Sequence, residues 1–338
     1  MFALLEKARF LKLPIDICLD LFEKCVVPIL LYGSEVWGYS NFDQIEVFHR
    51  SFLKILLKVY KFTPNVCVYG ELGQFELRNK VYVRMISYWA KLKFCETRKL
   101  SKCMLNLSMY NNRLKSCPWF SKINKILDDF GFSNVFLAPV AYGTSKCADR
   151  FIKAFKNRVN DVSNQEWCSN VVSNSQCTFY QTVKTRNCFE GYIKCLDGKY
   201  LYNMISFRTR CHRLPVTNNR FCRKNMNMST ICTLCSLNEI GDEMHCLFKC
   251  PFFENARKDL LSYLPSIPNK LEPSHVSHIF ESNCTVLLKA LSKFVTMILN
   301  AFDDIVDDDI FKPMVIKSQT TRVGRTIKIP SKYNDCVV

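Results

Sequence analysis

Residues 232–251 read CTLCSLNEIGDEMHCLFKCP. Two cysteines flank a dipeptide, and a histidine and a further cysteine follow, in the order Cys232-x2-Cys235-x9-His245-x4-Cys250. A Cys-x-x-Cys pair on a tight turn points both sulfurs at one ion, and zinc takes four such soft or borderline ligands tetrahedrally. Asn238 and Gly241 give the intervening loop the freedom to return. His245 and Cys250 lie about one and a half helical turns apart, within reach of a second ligand pair. Cys246 adjoins His245 and is predicted to point elsewhere. The competing reading is a set of buried thiols in a cysteine-rich chain, since one chance Cys-x-x-Cys is expected among 19 cysteines. The added histidine and cysteine at ligand spacing weigh for metal. One Zn2+ on Cys232, Cys235, His245 and Cys250 is the expected cofactor.

The rest of the chain bounds what surrounds this cluster. Its 338 residues are 48% hydrophobic and 13% aromatic, ample for a packed core. The charge is unbalanced: Lys+Arg 47 against Asp+Glu 30, a net +17. Such an excess favours an anionic partner, nucleic acid first among them. Glu6, Lys7 and Arg9 interrupt any apolar stretch of a signal peptide in MFALLEKARFLKLPID. The run VVPILLYG is far shorter than the roughly 20 residues of a membrane span. The expectation is a reducing compartment, cytoplasm or nucleus, with no membrane association; there, clustered Cys and His point to metal and scattered Cys act as small hydrophobes.

The pattern is mainly α. Leu13, Ile17, Leu21 and Phe22 predict a helix over 14–31, started by Pro14 and kinked or broken at Pro28. LLYGSEVWGYS reads as a turn. A long helix is predicted from about Asn41, through Phe42, Ile45, Phe48, Phe52, Ile55, Leu56 and Val59, and stopped by Thr63-Pro64-Asn65; another follows through LRNKVYVRMISYWAKLKF. Residues 100–148, punctuated by Pro118, Gly131, Pro139 and Gly143, read as a short helical segment and loops. DRFIKAFKNRVNDVSNQEW reads as a helix, and 286–306 as an amphipathic one. The resulting division is a helical region 1–115, a helical connection 116–205, a basic lead-in and CCHC module 206–265, a C-terminal amphipathic helix 266–310 and a disordered basic tail 311–338.

Residues 207–216, FRTRCHRLPV, lead into the cluster; Asp242 and Glu243 stand before His245, Pro251 follows Cys250, and Arg257 lies downstream. This order resembles the zinc-binding region at the C-terminus of non-LTR (LINE-type) retrotransposon reverse transcriptases. One departure is VTNNR, where the family often carries an acidic residue and a glycine before the arginine matched by Arg220. Upstream, PILLYGSEVWG, HRSFLKILL, TPNVCVYGELGQFEL and ISYWAKL are similar to the family's thumb region, and Trp167, Tyr180, Lys184 and Tyr192 fall in its order. The likeness runs from Met1 to about residue 300. It implies a helical, thumb-like start, the CCHC ligand set, and RNA or DNA as partner. It also implies no polymerase activity here: the metal-binding carboxylates of a polymerase lie in the family's palm, N-terminal to the thumb, so a palm would have to come from another chain.

Other candidates fail as catalytic sites. LDDF (Asp128, Asp129) reads as a loop-like stretch after a helix, and AFDDIV has its aromatic adjacent to Asp303 where a polymerase turn has it two before. His275-x2-His278 lacks a partner pair. Cys211 and His212, as sequence neighbours, do not face each other usefully, and no orienting acid is close in sequence. The run from Gly198 to Asn238 holds no Asp or Glu, and supplies Arg208, Arg210, Arg213, Arg220, Arg223 and Lys224 as expected phosphate contacts, about half of which should be plain surface charge. Phe207 and Phe221 could stack on bases, with core packing the commoner fate; Tyr32, Trp37 and Trp89 are expected in the core. The basic tail TRVGRTIKIPSKYND resembles those of mobile-element proteins. The alternative function is a non-catalytic, zinc-stapled interaction protein or a decayed element remnant.

Overall fold

Apolar side chains three and four residues apart must bury one stripe of each helix, and almost every element here solves that by packing on another helix. A computed structural model describes residues 5–6, 10–40, 42–94, 100–110, 117–137, 145–217, 229–264 and 270–303. Among these the chain is mainly α; β pairing is limited to the isolated bridges Leu72–Phe189 and Ile231–Ile240. The helices are α1 (Ile15–Leu21), α2 (Val27–Leu30), α3 (Ser34–Trp37), α4 (Asp43–Leu56), α5 (Asn65–Glu71), α6 (Leu77–Phe94), α7 (Leu100–Tyr110), α8 (Pro118–Asp129) and α9 (Ser133–Leu137). There follow α10 (Ser145–Ser173), α11 (Tyr180–Val183), α12 (Tyr192–Cys195), α13 (Gly198–Arg208), α14 (Glu254–Leu261), α15 (Val276–Phe280) and α16 (Thr285–Asp303).

Two pairs of long helices organise the core. α10 lies along α6, and α13 lies along α16. Trp89, Phe155 and Ile123 are buried in the first group; Phe207, Phe253 and Phe294 in the second. α5 packs on α4 and α10, while α12 touches both α1 and α16, so one apolar core continues from Leu5 to Phe302. The 205/206 boundary predicted from charge falls inside α13, because that helix's apolar side, with Leu201, Ile205 and Phe207, is built without regard to where its basic residues begin.

Helix ends depart from the predicted ones for local reasons. α4 stops at Leu56, well before Pro64, in a Schellman motif: Val59 N–H donates to Lys54 O (3.1 Å) and Lys58 N–H to Ile55 O (3.2 Å). Lys58 takes the left-handed position (φ 52°) usually given to glycine, and Val59 beyond it is buried. α13 ends the same way, with Arg210 at φ 55°. At Pro28 the helix neither breaks nor simply kinks: a π-turn, Phe22–Val26, joins α1 to α2. The Val27 N–H reaches back to Phe22 O, one residue further than in an α-turn, immediately before the proline that has no N–H to give. α5 lies in a stretch where the pattern predicts no helix. Residues 100–110 and 117–137 are more helical than expected, and Asp128 and Asp129 sit in the last turn of α8, not in a loop.

α16 is long and apolar enough to cross a membrane by length and composition, which VVPILLYG is not. Its apolar side, with Leu287, Leu291, Phe294, Val295 and Ile298, is buried against α13 and α14, while Lys289 and Lys293 face outward. The predicted basic tail and Phe221 lie outside the described residues.

Candidate metal centre

The module begins as a two-stranded clip. Ile231 pairs with Ile240, the Cys232 N–H donates to Glu239 O (2.9 Å), and the Gly241 N–H to Thr230 O (2.9 Å). Asn238 turns the clip with φ 52°, a left-handed backbone that asparagine tolerates. Gly241 is required by a close approach: a Cβ there would stand 2.7 Å from Pro215 Cγ, in the lead-in segment. The chain then enters a π-turn, His245–Lys249. Asp242 caps it, its Oδ1 accepting from the His245 N–H at 2.7 Å. The turn closes with the Cys250 N–H on His245 O at 2.8 Å, five residues back. That wide turn, in place of an α-turn, is how a ligand pair separated by four residues comes to face one point.

The four predicted ligand atoms converge within 4.8 Å of one another. Cys232 Sγ stands 3.9 Å from Cys250 Sγ, and Cys235 Sγ 3.4 Å from His245 Nε2. Cys232, His245 and Cys250 are buried and Cys235 half-buried. This is a set able to hold one metal ion. Behind it, His245 Nδ1 faces Glu239 Oε2 at 3.2 Å, which orients the ring so that Nε2 points inward. Burial, with neighbouring thiols adding to it, pushes the Cys232 thiol up and that of Cys250 up to about 12. Thiols raised in this way become thiolates together only against a cation. Cys246 points away, as predicted, into the apolar core, where burial raises its thiol far above the ordinary value. Arg257 holds the module from below: Nη1 donates to Cys246 O (3.3 Å) and Nη2 to Cys250 O.

The basic lead-in behaves otherwise. Arg208, predicted on phosphate, is fully buried; its Nε donates to Glu71 Oε1 (3.0 Å) and its Nη2 lies 3.3 Å from Glu190 Oε1. Arg210 is also buried, its Nε on Glu243 Oε1 at 2.7 Å and its Nη1 on Thr178 Oγ1. A guanidinium taken out of water must be paired, and carboxylates from distant segments do so here. Both therefore serve the interior, and neither offers its charge to solvent. Arg213 is half-buried. Arg220, Arg223 and Lys224 lie outside the described residues. Phe207 packs in the core against Phe179 and Phe280, and Trp89 is buried, but Tyr32 is 84% exposed, contrary to expectation.

Folding also assembles groups that sequence distance hid. His212 Nε2 lies 2.9 Å from the same Glu243 Oε1, so an acid does stand beside the Cys211-His212 pair. Cys211 Sγ nevertheless faces Thr63 Oγ1 (2.8 Å), and both residues are buried, so Cys211 joins the lead-in to the α4–α5 connection while His212 joins it to the module. His275 is spent on a capping box with Glu272. Trp167, Tyr180, Lys184 and Tyr192 together frame α5, from its first turn to its end. Trp167 Nε1 donates to Val66 O (2.9 Å), Tyr180 Oη to Cys67 O (3.3 Å), and Tyr192 Oη to Glu71 Oε2 (2.5 Å). Lys184 pairs with Glu190, which in turn faces Arg208. The glycine of the YGE triplet is a local mark of this frame. A Cβ on Gly70 would stand 2.4 Å from Tyr180 Oη and 2.7 Å from Trp167 Cζ2.

Compared with family models, curated proteins and solved structures, the chain matches none.

Proposed function

We propose that this chain is a non-enzymatic nucleic-acid-binding protein stapled by one zinc ion, related to the C-terminal part of LINE-type reverse transcriptases. The convergence of Cys232, Cys235, His245 and Cys250 is the observation that carries the reading. Zinc bonds of about 2.3 Å to sulfur and 2.0–2.1 Å to nitrogen, at tetrahedral angles, put neighbouring ligand atoms roughly 3.5–3.8 Å apart. Two of the pairs, at 3.9 and 3.4 Å, fit that spacing, and a donor set of three sulfurs and one imidazole suits zinc over harder ions. The ion's part is structural, because all four positions of a tetrahedral site are taken by protein. The net charge of +17 supports an anionic partner, RNA or DNA. The sequence likeness supports a retroelement origin.

A second reading is a zinc-stapled protein-interaction module. The exposure of Ile29 (76%) and Tyr32 (84%) and the withdrawal of Arg208 and Arg210 into the interior favour it. Fluorescence anisotropy against single-stranded RNA and duplex DNA at two salt concentrations separates the two. Phosphate binding should weaken with salt at about −0.7 per contact in log–log slope on single strands. Cys232→Ser should lose the zinc and most of that binding. A folded, zinc-loaded protein that binds neither nucleic acid at low salt would leave the interaction module as the function.

A further inference from the structure

With Arg208 and Arg210 turned inward, the excess positive charge must reach solvent elsewhere. The first half of α10 is where it is densest among the described residues. Residues 146–158, KCADRFIKAFKNR, hold five cations against one carboxylate. The helix is anchored by Ala148, Ile152, Phe155 and Val159, which are buried against the core. Opposite them, Lys146, Arg150 and Lys153 recur at i, i+4 and i+7 and are all exposed, with Asn157 and Asn160 continuing the same line. No carboxylate lies within ion-pairing distance of these three cations among the described residues, although Asp149 stands one turn from Lys153. Lys156 and Arg158 flank the line, also exposed.

We propose that this face of α10 is a contact surface for the phosphate backbone of nucleic acid, running from Lys146 to Asn160. The proposal rests on the nucleic-acid-binding reading and adds where the phosphates lie. Its chemistry selects the partner. A membrane-surface helix pairs its cations with exposed aliphatic or aromatic side chains that enter the lipid. Between Lys146 and Asn160 no large apolar side chain is exposed. The line instead passes from cations to asparagine amides, donors that suit phosphate oxygens and sugar. From Lys146 to Asn160 it spans about 21 Å at 1.5 Å per residue, enough to follow several successive phosphates of one strand.

The test is anisotropy of the full chain, zinc-loaded, on fluorescein-labelled duplex DNA across a salt series. The variant is Lys146→Gln/Arg150→Gln/Lys153→Gln, which keeps good helix formers. Lys125→Gln/Lys289→Gln/Lys293→Gln, with the same loss of charge on α8 and α16, is the control. If all three cations meet phosphate, the log–log salt slope becomes shallower by about 2.7, and affinity at low salt falls more than tenfold. The control should move the slope by less than half as much. Arg150→Gln alone should change it by about 0.9, so the proposal stays testable if the triple variant loses helical circular dichroism. A wild-type slope in the triple variant overturns this surface while nucleic-acid binding stands. No binding by the wild type overturns both. Wild-type binding to phosphatidylserine vesicles but not to nucleic acid, abolished in the triple variant, gives the face to a membrane and likewise overturns the proposal.

Discussion

Glu71 and Arg208 show what a single buried charge costs here. Both are fully buried, and their carboxylate–guanidinium contact at 3.0 Å is supplemented by Tyr192 and Glu190. Removing one partner strands the other in a medium that cannot solvate it. Arg208→Met should therefore destabilise the protein by about 3–5 kcal/mol in urea unfolding, and adding Glu71→Leu should recover part of the loss. Glu243 gives a pH signature. Burial alone would raise its carboxyl, but the hydrogen bond and charge of His212 and the charge of Arg210 outweigh this and hold it below the usual carboxylate value. A group whose folded value is depressed contributes stability that is complete above its unfolded value, about 4.5, and is lost as pH falls through the folded one. Unfolding midpoints of wild type and Glu243→Gln should thus converge as the medium is acidified below about pH 4.5. The four residues of the candidate metal centre were legible because their spacing is local. The fates of Arg208 and Arg210 were not, because their partners lie 137 and 33 residues away.

At the scale of elements, periodicity located the long helices but not every helix end. α6 spans the predicted stretch and α16 fills its own as far as the described residues run, both carried by a sustained apolar stripe. α5, with seven residues, is too short for periodicity to reveal, and its stability comes from the side chains that frame it. The stops at Lys58 and Arg210 were illegible because basic residues hold positions where glycine would have announced a C-cap. Two glycines separate backbone from packing. Gly131, at φ 80° beyond α8, has open space around its missing side chain, so Gly131→Ala should cost only the left-handed penalty of about 1–2 kcal/mol. Gly70 has an unstrained backbone and no room, so Gly70→Ala should cost more, because Tyr180 and Trp167 must move away from α5. Thermal unfolding of the two variants ranks them.

Across the whole molecule, the metal module is not an appendage. Its Cys232, Cys246, Leu247, Phe248 and Cys250 belong to the same core cluster as the N-terminal helices, and Phe253 beyond it packs on Phe294 of α16. Chelation should therefore lower the midpoint of the main unfolding transition, where an independent zinc finger would melt separately and leave that transition in place. Scanning calorimetry with and without chelator decides between the two. The mainly α class was legible from composition and pattern. The continuity of the core was not, since contacts such as α12 on α1 join segments that no local signal connects.

Both π-turns close on the residue just before a proline: Val27 ahead of Pro28, and Cys250 ahead of Pro251. In the second, one residue carries a thiol facing the point on which the four donor atoms converge and a backbone N–H that closes the turn. The two cannot loosen separately. The Cys250 amide is thus a built-in isotopic reporter of occupancy: its proton should exchange with deuterium slowly while the ion is held, and quickly once the ion is withdrawn.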